Sequence, residues 1–128
     1  MAAMKITPVL FVQEIEKSLP FWVDRIGFTK SAEVPGDDGL AFVILMHEGV
    51  ELMLQSVASV LKDEPKFAPK GPAGGASLFI EVADFEDILK RLEGYPIEMA
   101  ERTTNYGMRE IGVRDPDGHI ALFAKPVG

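Results

Sequence analysis

The residues able to do chemistry are few, and their spacing excludes more than it permits. The sequence has no cysteine, so it offers no thiolate nucleophile, no thiolate metal site and no disulfide framework. Its two histidines, His47 and His119, fall in or beside expected hairpin turns and read as surface residues without a role. No nucleophile and base stand together, and no glycine-rich loop precedes a helix as a phosphate cradle requires. What remains is a set of carboxylates and arginines on strands. Ahead of Asp115-Pro116-Asp117-Gly118, Glu110, Gly112 and Arg114 alternate with Ile111 and Val113. One face of that strand is apolar and the other polar or small, and a half-polar face either meets solvent or lines a cavity.

The elements that must position this face follow from turn chemistry and periodicity. Proline presets φ, aspartate accepts bonds from nearby backbone N–H groups and glycine tolerates positive φ, so residues 105–124 predict two strands about one tight turn. Upstream, Ile6 to Val12 predicts a strand. Ile15, Leu19, Trp22 and Ile26 recur at helical spacing, with Ser18 as expected N-cap, Pro20 in the first turn and Gly27 as the stop. An irregular strand follows from Phe28, and Leu40–Met46 with Val50–Gln55 predicts a hairpin around His47-Glu48-Gly49. Proline and glycine then mark a long connection, which has room for a helical turn or two near Val57 and Leu61. Beyond it come a strand from Ser77 to Val82 and a helix begun by Asp84 and Asp87, with Phe85, Ile88, Leu89 and Leu92 as its stripe.

The order of the first half therefore repeats. Thr7 and Ser77 hold equivalent places, and Leu19 and Trp22 match Leu89 and Leu92 at the same offset. The expected class is α+β: paired βαβββ modules with curled mixed sheets that form a cleft. The expected organisation is a single domain, with module one about 5–56, a linker at 57–76 and module two at 77–126; helices are expected at about 18–26 and 84–93.

Composition narrows the function classes. At 128 residues the chain suffices for one domain with a real core, and 47% apolar with 26% charged residues is ordinary for a globular protein. A net charge of −7 repels a polyanion, and no basic stripe overrides it, so nucleic acid is not an expected partner. No apolar stretch is long enough to span a bilayer and no signal-like run opens the chain, so a cytoplasmic protein without membrane contact is expected.

Three motifs together carry a family resemblance. The run Arg109-Glu110 through Arg114-Asp-Pro-Asp-Gly118, the opening Ile6 to Phe28 with its Lys17-Ser18 and Phe21-Trp22 pairs, and Gly49-Val-Glu-Leu-Met-Leu-Gln55 resemble the vicinal oxygen chelate superfamily. That superfamily includes glyoxalase I, bleomycin-resistance proteins, fosfomycin-resistance enzymes and extradiol dioxygenases. The resemblance implies paired modules around a shared cleft, with metal ligands on four strands in the metal-dependent members. Those positions are Thr7, Glu51, Ser77 and Leu122 here, and only Glu51 is a competent ligand.

Alternation then lists the neighbours. The expected ligand-binding cleft comprises Thr7, Phe11, Glu51, Met53, Gln55, Ser77, Phe79, Glu81, Tyr106, Glu110, Arg114 and Leu122. Glu51, Glu81 and Glu110 are its acidic groups, although Glu81 and Glu110 have the alternative of pairing with Arg109 or Arg114. Trp22 is expected to pack in the core. The resemblance, with the missing imidazoles, leads to a metal-free, bleomycin-resistance-like protein that uses no cofactor and has no catalytic residues. It would bind a small apolar or cationic molecule as a homodimer. The alternative is a metal-dependent lyase, isomerase or dioxygenase with a displaced set built from Glu51, Glu81 and Glu110.

Overall fold

Strand alternation decides which side of each sheet is covered. In β1 (Val9–Val12) and β4 (Val50–Ser56), Leu10, Val12, Leu52 and Leu54 are buried while Phe11, Glu51, Met53 and Gln55 stay partly open. The computed structural model describes all residues, Met1–Gly128. β1 runs parallel to β4, which pairs antiparallel with β3 (Gly39–His47), itself antiparallel to β2 (Thr29–Gly36). The second half repeats this with β5 (Ser77–Glu81) parallel to β8 (Ile120–Pro126), then β7 (Met108–Arg114) and β6 (Met99–Thr103). Parallel neighbours need a crossover, which α1 (Ile15–Leu19) and α3 (Phe85–Arg91) begin. The fold is thus α+β, two βαβββ modules each with a four-stranded mixed sheet. Residues from both modules share one hydrophobic cluster beneath the helices.

The first helix departs from expectation. It starts at Ile15 rather than at Ser18, with Glu14 in the N-cap position. Pro20 has no N–H to extend the α ladder, and the helix passes it by widening into a π-helix, Pro20–Arg25. The Ile26 N–H then reaches back to the Phe21 carbonyl at 2.9 Å. The second helix behaves as read: Asp84 accepts from the Asp87 N–H at its N-cap. The long connection contains α2 (Val57–Asp63), capped by the Ser56 hydroxyl.

Ser18 is not a cap because its hydroxyl has another partner. It donates to Asp117 at 3.0 Å, while the other oxygen of that carboxylate accepts from the Gln13 N–H at 2.9 Å. Asp115 accepts from the Asp117 and His119 N–H groups with one oxygen and from the Trp22 indole with the other. The Asp115–Gly118 turn is therefore a fastener between modules as well as a hairpin turn. His119, read as a surface residue, is only 3% exposed. Its Nδ1 accepts from the Gly75 and Ala76 N–H groups, so Nε2 carries the proton and donates to the Phe11 carbonyl at 2.9 Å. Gly74 permits this approach, since a Cβ there would overlap the Asp117 carbonyl.

The β3–β4 hairpin contains the one non-glycine residue at positive φ. His47 pairs with Val50, leaving Glu48 (φ 47°) and Gly49 (φ 81°) as a two-residue loop of the kind that favours Asn-Gly. Glu48→Asn is expected to stabilise the protein by about 0.5–1 kcal/mol. Urea unfolding checks this as a higher midpoint at unchanged slope.

Candidate functional site

Five of the expected site residues converge. Thr7, Glu51, Ser77, Phe79 and Glu81 line one cavity of about 580 Å³ between the start of β1 and β5. Thr7 precedes the regular strand, which begins at Val9, yet its hydroxyl reaches Glu51 Oε1 at 3.2 Å. The Lys5 ammonium lies 2.9 Å from the same oxygen. Hydrogen bonding from Lys5 holds the Glu51 carboxyl below its usual value, so Glu51 is ionised at neutral pH. Sequence reasoning passed over Lys5. The signal was there, because Lys5, Thr7 and Val9 share one alternation parity.

The remaining residues flank this cavity or lie away from it. Phe11 and Met53 are half-buried on the open face of the first sheet, where Val9 pairs with Met53 and Phe11 with Gln55. The Gln55 amide donates to the Ser59 hydroxyl and so helps hold α2. Leu122 pairs with Phe79 across β5 and β8 and presents an apolar surface where the resemblance asks for a carboxylate. Arg114 bonds the Gly118 carbonyl and pairs with Glu98. Glu110 is fully buried, accepting from Arg102 at 3.2 Å and from the Tyr106 hydroxyl at 3.3 Å. Its cation is thus Arg102, opposite it across β6 and β7, and not Arg109 or Arg114. Arg109 is engaged by Glu86 and Glu101.

These donors do not suit a divalent ion. Of the four positions implied by the resemblance, two are hydroxyls and one is leucine, and Glu51 already meets an ammonium. Nor does a displaced set form. No group of three or more His, Cys, Asp or Glu side chains is placed to hold a metal, and Glu110 turns to Arg102 rather than toward Glu51 and Glu81. What the cavity offers instead is apolar wall with few polar anchors, the usual make-up of a small-molecule site.

The model for the Glyoxalase/Bleomycin resistance protein/Dioxygenase superfamily matches residues 5–123. The chain belongs to this superfamily. Solved structures agree in fold. A glyoxalase/bleomycin resistance protein/dioxygenase from Nocardioides superposes with a TM-score of 0.77 at 19% identity, covering 99% of this chain and 86% of that one. A virulence protein from Salmonella typhimurium gives 0.71 at 25% identity over 99% and 100% of the two chains. TioX from Micromonospora sp. ML1 gives 0.77 at 19% identity over 97% and 99%. No curated protein matches the sequence. Thr7, Glu51 and Ser77 meet where the two modules adjoin. No helix is long and apolar enough to cross a membrane.

Proposed function

We propose that the protein is a metal-free member of the superfamily that binds, and by binding sequesters, a small organic molecule in the cleft between its modules. The observation that carries this reading is the state of Glu51. At the position where a metal-dependent relative would place its carboxylate ligand, the charge is answered from within the chain by Lys5 and Thr7. The walls suit an apolar body: Phe79 is 54% exposed on the cleft face, with Val50 beside it. Burying one such ring against a ligand contributes on the order of 1–3 kcal/mol.

Charge sets the second preference. Glu51 is paired to Lys5 and Glu110 is buried beneath Arg102 and Tyr106, which leaves Glu81 as the cleft carboxylate in no ion pair. An aromatic cation should therefore bind more tightly than its anionic counterpart, with a modest margin that weakens as salt screens Glu81. The protein should act as a homodimer, since the exposed strand β2 and apolar side chains such as Val9 and Phe79 are left uncovered by a single chain.

Calorimetric titration with an uncharged, a cationic and an anionic naphthalene derivative at low salt tests the reading. Phe79→Ala is expected to weaken the uncharged ligand about fivefold or more, and Glu81→Gln to narrow the gap between cation and anion. Equal affinity for both charges in the unmodified protein would contradict the ligand class. Binding indifferent to Phe79→Ala would contradict the site.

A further inference from the structure

A second cavity, of about 350 Å³, lies on the helix-covered side of β5. It lies between two places where the modules are joined. They are fastened at the start of β5, where the Asp115–Gly118 turn meets β1 and α1, and again beyond α3, where Arg25 donates to the Arg91 and Glu93 carbonyls and Arg91 to the Arg25 carbonyl. No strand ladder runs between the two sheets. Between the two fastenings, toward the far end of β5, Ile26 and Phe28 of module one line one cavity with Val82, Ile88 and Phe123 of module two. Ile26, Phe28, Ile88 and Phe123 belong to the shared core and are 7%, 7%, 4% and 0% exposed, so the space opens chiefly along Val50, Ile80 and Val82. A wall of Phe28, Val50, Ile80 and Glu81 separates this cavity from the concave cleft and serves both.

Its mouth has a definite sign. Glu48, Glu81, Asp84 and Asp87 stand there against one cation, Arg91, and Arg91 is already bound to Asp87 at 2.8 Å. Glu48, Glu81 and Asp84 are in no ion pair. With His47 counted as neutral the formal charge is −3, whereas Glu51 and Glu81 against Lys5 leave −1 in the concave cleft. Carboxylates beside a partly enclosed apolar space act through a lower dielectric than on an open surface, so they weigh more on a ligand's charge. The Phe28 ring, held against His47 at 5.6 Å, supplies an aromatic wall.

We propose that this inter-module cavity is a second ligand site, separate from the concave cleft, and that it takes an organic cation with a compact aromatic body. The rings lie along Val50, Ile80 and Val82 with the edge of Phe28 behind them, and the ammonium stays at the mouth beside Glu48 and Glu81. The volume is at the small end for ligand pockets and admits one or two fused rings. An anion of the same shape is rejected by the mouth.

Isotope-labelled protein titrated with 1-naphthylmethylammonium, and separately with 1-naphthoate, tests this by resonance shifts at low salt. The cation should shift Ile26, Phe28, Val82 and Ile88 and bind about tenfold or more tighter than the anion at those positions. Two variants at exposed mouth positions separate the causes without touching the core. Ala83→Trp should plug the opening and abolish these shifts, and Glu48→Gln should weaken the cation about threefold while sparing the anion. Shifts confined to Thr7, Met53 and Phe79 would overturn the second site and leave the concave cleft as the only one. Equal binding of the anion, shifts that persist in Ala83→Trp, or no shift up to millimolar cation would each overturn it as well.

Discussion

Replacing Trp22 with alanine is expected to cost about 3–5 kcal/mol of folding stability. Trp22 is fully buried and stands between two perpendicular ring contacts, to Phe21 at 4.9 Å and to Phe28 at 5.9 Å. It is also the point where the π-helical turn of module one meets the Asp115 turn of module two, through a 3.2 Å hydrogen bond from its indole. Truncation therefore opens a cavity in the shared core and removes a bond between modules in one step. Trp22→Phe keeps most of the volume and loses the bond, so it should cost a smaller amount, about 1–3 kcal/mol. Urea unfolding of both variants separates the two contributions. A Trp22→Ala loss below that of Trp22→Phe would show that the packing is not what the indole contributes.

Asp115→Ala should be nearly as damaging, about 3–5 kcal/mol, because it strands the Trp22 indole and the Asp117 and His119 N–H groups together. The pH dependence is a finer test. Burial lifts the Asp115 carboxyl above its usual value, against the hydrogen bond from the His119 N–H, which lowers it. The folded protein then holds this proton more tightly than the unfolded chain does. The Asp115 contribution to stability is accordingly fullest below the unfolded carboxylate value and is lost as pH rises through the raised folded one. Asp115→Asn removes the titration, so the stability of the unmodified protein relative to Asp115→Asn should fall with rising pH across that window. A rising difference would mean that hydrogen bonding, not burial, governs the carboxyl.

Much of this fold was legible because its signals are local. Alternation along Val50–Gln55, the Asp84 cap and the Asp-Pro-Asp-Gly turn each act within a few residues, and their order in two copies leaves little choice of architecture. The errors arose where tertiary contacts compete with local preference. Ser18 has the chemistry of an N-cap, but Asp117 claims its hydroxyl from 99 residues away. His119 sits at a hairpin end, ordinarily an exposed place, and is buried because Gly75, Ala76 and Phe11 converge on its ring. Strand β6 carries Glu101, Arg102 and Thr103 with no apolar alternation, so its pairing is visible only from the β7 side.

Parity gathers five of the expected residues at one cavity, while Gln55, Glu110 and Arg114 share the expected face and are engaged elsewhere. Counting in twos from Thr7, Glu51 and Ser77 reaches the cleft face, and Glu81 and Phe79 follow. Parity does not say which charge meets which. Lys5 beside Glu51 and Arg102 beside Glu110 depend on the twist and register of neighbouring strands, and they leave Glu81 as the one expected cleft acid in no ion pair. The inter-module cavity had no signal of its own, since its walls are residues that read as ordinary core.

The most direct test of the metal-free reading is the elemental content of protein purified without chelator. The account predicts well under about 0.1 equivalent of zinc, nickel, manganese or iron per chain, with ligand affinity unchanged after chelator treatment. About one equivalent of any of these, removed by chelator together with ligand binding, would contradict it.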